Sequence, residues 1–498
     1  MNAESNQYIA LFFVVIYLFL CIGIGIWSYY KTKSTSDFFA AGRSLGPVLI
    51  GLAIFSSTLS GFGFVGGPGL VYASGASSIW MVSICALGFS LTFFTIAKPI
   101  RIIAELRDCI SLPDVVYARY NSNLTRLLLS LTIILGVMGY LATQILAMSI
   151  VLFSLIKGIE IFSFITLFQC IIFSTIMLIF YCTTGGIIAS IYTDLIQGTI
   201  MMIGGILICI TAISVYDGGL SEASSVLFND HSESIMPFGT SGILVCLAWF
   251  FVFGIGYAGQ PHVVTKMMMN RDIRDNKIIL PLSIFGFTFA ALLWISIGII
   301  MRSTVVDGSI DPLISPDQAA PVFLNIFTNP YIAGIVYAGL FAAIMSTADA
   351  FINIGVAAIT HDIPKSIKGS PLNNDLFWAR IGTISLCIIA SIFATYSYYY
   401  NDRLIALLGA FGWGTFAAAI VPVLVIGLNW KSATREAAAF AIFISLIINF
   451  SIEIFSISIP YNMPGSFLAM LTSITSFIGI SLVTSNHIDE DINEALSI

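Results

Sequence analysis

The chain has 498 residues, of which 58% are hydrophobic and only 9% charged. Soluble domains carry about 25% charged residues, so a soluble globular fold is excluded. The formal net charge of −6 points to no class of partner, because most acids are read as solvated loop or tail residues: Asp217, Glu222, Asp230, Glu233, Asp307, Asp311, Asp317, Asp489, Glu490 and Asp491.

In chain order, roughly thirteen apolar segments reach the length of about 20 residues that a bilayer crossing requires. They lie near 8–29, 47–72, 77–100, 125–156, 159–183, 190–215, 240–261, 278–301, 331–360, 376–397, 403–428, 434–455 and 464–484. The first has neither a basic leader nor a small-residue cleavage site and reads as a retained span. The longest interval between spans, 302–330, holds roughly thirty residues, so the chemistry is expected inside the helix bundle. With the N-terminus outside, 17 of the 20 Lys and Arg fall on the inner side and 3 on the outer, as the positive-inside rule requires. Lys266 and Lys365 are counted among the inner loop residues. The eight cysteines are scattered and imply no disulfide framework. The four histidines (231, 262, 361 and 487) read as solvated loop residues, and no metal-ligand spacing or nucleophile–base pair suggests an enzyme.

Two spans carry residues that a membrane helix should avoid. The second contains "SSTLSGFGFVGGPG" (56–69), and the seventh contains "VFGIGYAGQPH" (252–262). Each Gly costs about 1 kcal/mol of helix propensity relative to Ala, and Pro about 3. The two are five spans apart and therefore cross in opposite directions. Such a pair marks an inverted-repeat transporter, in which half-helix N-termini face anionic groups and freed carbonyls coordinate cations. The ninth span supplies further oxygen in "FAAIMSTADAFIN" (341–353), where Ser346 and Thr347 precede Asp349. An acid deep in a span is costly and is read as functional.

Six motifs in order carry a family resemblance: "SDFFAAGRSLGP" (36–47), "STLSGFGFVGGPGLVYASG" (57–75), "SLPDVVYARY" (111–120), "TGGIIASIYTDLIQG" (184–198), "GYAGQPH" (256–262) and "NPYIAGIVYAGLFAAIMSTAD" (329–349). The chain resembles the sodium/solute symporter family, above all its bacterial proline permeases, with pantothenate permeases next. The resemblance implies an all-α polytopic protein with a LeuT-like core of two inverted five-helix repeats. The implied division is a first peripheral helix and inner loop (1–46), the first repeat (47–216), an outer loop (217–239), the second repeat (240–430), and two peripheral helices with an acidic cytoplasmic tail (431–498).

Carried over residue by residue, the resemblance implies a sodium site built from the carbonyls of Ser56, Leu59 and Ala343 and the hydroxyls of Ser346 and Thr347. Asp194, read as the start of the sixth span near the inner surface, matches an acid that relatives place on the inner sodium route, and Asp349, one turn inward of Ser346, is read with it as marking the sodium exit path. The implied substrate site comprises Ser60, Gly61, Tyr140, Gln144, Phe253, Tyr257 and Trp413. Thr58 stands where proline permeases carry an acid, and no Arg follows Gln144 as it does in relatives. The expected activity is sodium-coupled symport of a small organic solute (an amino acid such as proline, pantothenate or a carboxylate) by alternating access. Alternatives are proton coupling through Asp349 and Asp194, or a transporter-like receptor. Sodium is the implied coupling ion, with no other cofactor. The expected partners are solute and lipid bilayer but no nucleic acid. The expected setting is a monomer in a prokaryotic plasma membrane.

Overall fold

The computed structural model describes residues 3–31, 39, 45–400, 405–485 and 490–496. Lys33, Arg43, Arg403, His487, Asp489 and most of the 36–47 motif lie outside the described residues. Among those described, regular structure is helical, with one isolated bridge between Leu45 and Asn270.

Among the described residues, eleven helices are long and apolar enough to cross a membrane, and a bent pair, Ile243–Gly259 with Pro261–Met267, makes twelve. The stretch Phe62–Leu106 has 45 residues. As one straight helix it would measure about 67 Å, over twice the hydrocarbon thickness. Gly75 interrupts it at φ 71°, a left-handed conformation, between Gly67–Ser74 and the 3₁₀ stretch Gly75–Cys85. It therefore contains the back half of the second span and the third span, with Pro47–Ser56 as the front half of the second. This reconciles the helix list with the thirteen segments. In the same way Leu167–Ile213 turns at Gly186 (φ 55°), so the fifth and sixth spans are joined by a one-residue reversal.

Helix positions follow burial. The ninth span, within Pro330–Lys368, is 94% buried, whereas Ser5–Tyr30 is 28% buried and both Arg435–Ile454 and Gly465–Val483 are 33% buried. An apolar helix with exposed sides is lipid-facing, and one buried all round is core. The second span wraps the core closely. A Cβ at Gly67 would stand 2.4 Å from the Trp294 ring, and one at Gly286 would stand 2.4 Å from Phe55. Gly67→Ala is expected to cost about 1–3 kcal/mol through overpacking. A thermal midpoint in detergent equal to wild type would show that the Trp294 contact tolerates a methyl group.

Both breaks begin their second halves in a defined way. After Ser56 the chain leaves the helix over 57–60, then resumes at Gly61 and passes into a π-helical turn, Phe62–Gly66. In the seventh span, Phe250–Gly254 is π-helical and Ile255–Gly259 is 3₁₀. Gln260 is then extended (φ −80°, ψ 107°) and Pro261 opens Pro261–Met267. Proline fits a first helical position because that position needs no N–H donor. At one end of the bundle the two broken spans are stitched together. Arg271 N donates to Leu45 O (3.1 Å), Leu45 N to Met269 O (3.4 Å), and Arg101 Nε to Asn270 O (2.7 Å).

Several residues expected in solvent are interior. His262, His361, Asp317 and Lys266 are all buried. Local composition marks them as polar, but each sits where a neighbouring helix covers it.

Candidate ion and substrate site

The break in the second span meets the ninth span through hydroxyls. Ser346 Oγ lies 2.9 Å from Ser56 O and 3.1 Å from Ala343 O. Thr347 Oγ1 lies 3.0 Å from Ser57 O and 3.0 Å from Ala343 O. Four of the five expected sodium-site residues therefore converge. Thr347 meets the carbonyl of Ser57 rather than that of Leu59, whose N–H still bonds to Phe55 O (3.1 Å). Ser57 was missed because its position, inside the unwound segment, carries no sequence signal distinct from its neighbours.

A buried ion pair adjoins this cluster. Lys266 Nζ donates to Asp194 Oδ2 (2.8 Å) and to Ala53 O (2.8 Å), while Ser56 Oγ donates to Asp194 Oδ1 (3.0 Å). Lys266 is 1% exposed and Asp194 0%. Two expectations are corrected here. Asp194 does not lie near a surface, because the sixth span starts at the Gly186 reversal and puts it about two turns inside. Lys266 is not a loop residue, because Pro261 begins a helix rather than ending one. Ser56 thus joins the ion cluster to a carboxylate already neutralised by an internal ammonium. Taking both charges out of water is tolerated only with close pairing and further hydrogen bonds, which Ala53 and Ser56 provide.

Asp349 lies one turn below Ser346 and is buried. Asn353 Nδ2 donates to its Oδ1 (3.1 Å), and Ser190 and Cys182 lie against it. Asp194 is within electrostatic reach of it.

The seven expected substrate residues are buried and form two groups, one of Ser60, Gly61, Tyr140 and Gln144 and one of Phe253, Tyr257 and Trp413, bridged by Phe62. Ser60 Oγ and Tyr140 Oη are 2.9 Å apart. Gly61 N, at the start of the resumed helix, donates to Gln144 Oε1 (2.8 Å). A neutral amide oxygen thus occupies the position a helix N-terminus offers to anions. Phe253 stacks between Phe62 and Trp413, with ring centroids 5.6 Å away on each side. Tyr257 stacks on Trp413 at 6.1 Å, and its Oη is 3.2 Å from Thr58 Oγ1. Trp413 Nε1 donates to Val252 O (3.2 Å). Gln260, not among the expected residues, donates from Nε2 to Gly256 O (3.0 Å) and Trp413 O (3.2 Å). It ties the seventh-span break to the eleventh span. Its signal was its place beside the break, in "GYAGQPH" (256–262).

Between the spans, Asp317 accepts from Ile405 N (3.1 Å), and burial pushes its carboxyl up to about 6 despite that hydrogen bond. Because this lies above the unfolded value of 3.8, folding takes up a proton there. The group stabilises below about pH 4, and its contribution of roughly 3 kcal/mol is lost as pH rises through 6. Thermal stability is expected to fall over that window, and Asp317→Asn to flatten the slope. An unchanged slope in the variant would assign it to other groups.

A bundle of apolar helices in which two opposed spans break at mid-bundle, with hydroxyls and freed carbonyls gathered at the breaks, defines a secondary transporter. The model of the sodium:solute symporter family matches residues 38–445, and the chain belongs to that family. Sodium/proline symporters of Staphylococcus aureus (strains NCTC 8325 / PS 47 and N315 among them) are 27% identical over 439 residues, covering 85% of this chain and 82% of theirs. Among solved structures, a substrate-bound outward-open Na⁺-coupled sialic acid symporter superposes with TM-score 0.78 at 20% identity, covering 96% of this chain and 98% of that one. A nucleobase-cation-symport-1 family transporter in a closed conformation gives 0.57 at 14% identity, covering 93% and 99%. These likenesses carry the LeuT-type fold. The chain is a multi-pass membrane protein that couples sodium to the movement of a small solute.

Proposed function

We propose that the solute is small and carries no net charge, an amino acid such as proline first; pantothenate or another carboxylate, anionic at neutral pH, is the alternative that this reading disfavours. The carrying observation is that all seven substrate residues are uncharged and that the helix N-terminus at Gly61 is already met by the Gln144 amide. An anion would have to displace that oxygen with no fixed cation among those residues to receive it. The relatives named sodium/proline symporters support the same reading. Sodium would be held by oxygens of Ser56, Ser57, Ala343, Ser346 and Thr347, with the expected Leu59 carbonyl met by neither hydroxyl of the ninth span, and with Asp194 and Asp349 along its exit. The repeats would run over 47–216 and 240–430, in a monomer with its N-terminus outside a prokaryotic plasma membrane.

The test is uptake into proteoliposomes of amino acids, pantothenate, monocarboxylates and sugars, with and without a sodium gradient at fixed pH. One positive charge moved inward gains about 2.3 kcal/mol per 100 mV, so about 120 mV alone supports roughly 100-fold accumulation of a neutral solute. Uptake of a neutral solute is expected to be electrogenic and sodium-dependent. Uptake indifferent to sodium that instead follows the imposed potential and a proton gradient would transfer coupling to Asp194 and Asp349.

A further inference from the structure

A polar cavity of about 360 Å³ opens beside the short helix Leu112–Tyr120, lined by none of the ion-site or substrate-site residues. This is within the range of small-molecule sites. Its lining includes three cations, Arg107, Arg126 and Lys365, against one carboxylate, Asp114. Asp114 is already satisfied within the protein, by His361 Nε2 (2.9 Å), Lys365 Nζ (3.1 Å) and Arg126 Nη2 (3.3 Å). Burial alone would push its carboxyl up, but the His361 hydrogen bond and the neighbouring positive charges hold it at about 2. It therefore remains ionised and cancels only one of the lining charges.

Arg126 is 4% exposed, lies 3.8 Å over the Tyr117 ring, and has a buried Nε with no hydrogen-bond partner among the described residues. Stacked on Tyr117 and paired with Asp114, its guanidinium is a fixed positive charge at the cavity wall, although its Nε is covered. Beside it, Ser122 caps the N-terminus of Asn123–Ile156, a 34-residue helix whose dipole adds positive potential. At the rim, Arg107 Nη2 is 2.8 Å from Asp491 in the C-terminal helix Glu490–Ala495, where Ile492 is fully buried. One cation of the cavity thus already holds a carboxylate belonging to another part of the chain.

We propose that this cavity is a binding site for a phosphate-bearing anion, either a free phosphate compound or the headgroup of an anionic lipid, gripped by Arg126, Arg107 and Lys365. Arginine forks and an ammonium around a helix N-terminus match the geometry and charge of phosphate oxygens. None of its lining residues belongs to the ion or substrate cluster, so its failure would leave the symport reading untouched.

The full-length protein in neutral detergent is titrated with inorganic phosphate at constant ionic strength, with chloride as control, reading heat of binding and thermal midpoint. In a parallel arm it is reconstituted in phosphatidylcholine with or without phosphatidylglycerol, and lipid retention is read by native mass spectrometry. Arg107→Gln and Lys365→Gln are each expected to weaken binding about two- to fivefold, and the double variant more, while sodium-driven uptake confirms that both fold. Phosphate binding without retained phosphatidylglycerol identifies a soluble ligand, and retention displaced by phosphate identifies a lipid. Absence of both in wild type, or equal binding by the double variant, overturns the proposal.

Discussion

Lys266→Gln is expected to be the most damaging single substitution in the transport core. It leaves the Asp194 carboxylate fully buried with only Ser56 Oγ as a partner. Breaking a buried pair from one side typically costs about 3–5 kcal/mol, because the remaining charge stays desolvated. Removing both charges is far milder, so Lys266→Gln combined with Asp194→Asn should recover most of the loss. Expression and thermal midpoint in detergent give the readout. A single variant as stable as wild type, or a double variant no better than the single, would show that the pair carries no such penalty. The variants also test the exit path. With Lys266 gone, the buried Asp194 is balanced only by a bound proton or by sodium itself, so sodium release should slow or become pH-dependent.

The second large effect belongs to Ser346 and Thr347. Each hydroxyl bridges the ninth span to a freed carbonyl of the second, at 2.9 and 3.0 Å. Ser346→Ala and Thr347→Ala preserve the backbone but remove an oxygen from the proposed sodium site. Each should weaken sodium about 10- to 100-fold, the equivalent of losing an interaction of roughly 1.5–3 kcal/mol. Tyr257→Ala serves as the contrast. Its ring stacks on Trp413, and it should raise the KM for solute at saturating sodium while leaving sodium affinity nearly unchanged. If all three variants shift only the solute dependence, the division between ion and solute residues is wrong.

The parts of the site readable from sequence are those that violate a local rule. Gly63, Gly66, Gly67 and Pro68 have no place in a regular membrane helix, nor does Gln260–Pro261, so both breaks announce themselves. Ser346 and Thr347 stand out as adjacent hydroxyls in an apolar helix. What was hidden depends on contacts between distant segments. Lys266 and Asp194 are 72 residues apart, and neither position is unusual for a helix end. Read locally, Pro261 looks like a terminator, whereas in the fold it is a first residue, and that one reassignment carries Lys266 from solvent to core. Likewise "TTGG" (183–186) suggests a loop, but a single positive φ at Gly186 completes the reversal and pulls Asp194 inward. Asp317 and His361 look solvated because their own neighbours are polar. Only packing against Ile405 and Asp114 reveals them as interior.

The stitching of Leu45 to Met269 and Arg271, with Arg101 braced on Asn270, bears on leakage. Two half-helices fastened at the same end share a single lever arm, and neither swings without dragging the other. Were they free to slip, the ion side of the core would open to one compartment while the solute side still faced the other. Sodium would then run downhill carrying nothing. Loosening this clasp of hydrogen bonds at the rim of the bundle, made by residues outside the ion and substrate clusters, is therefore expected to raise solute-independent sodium flux.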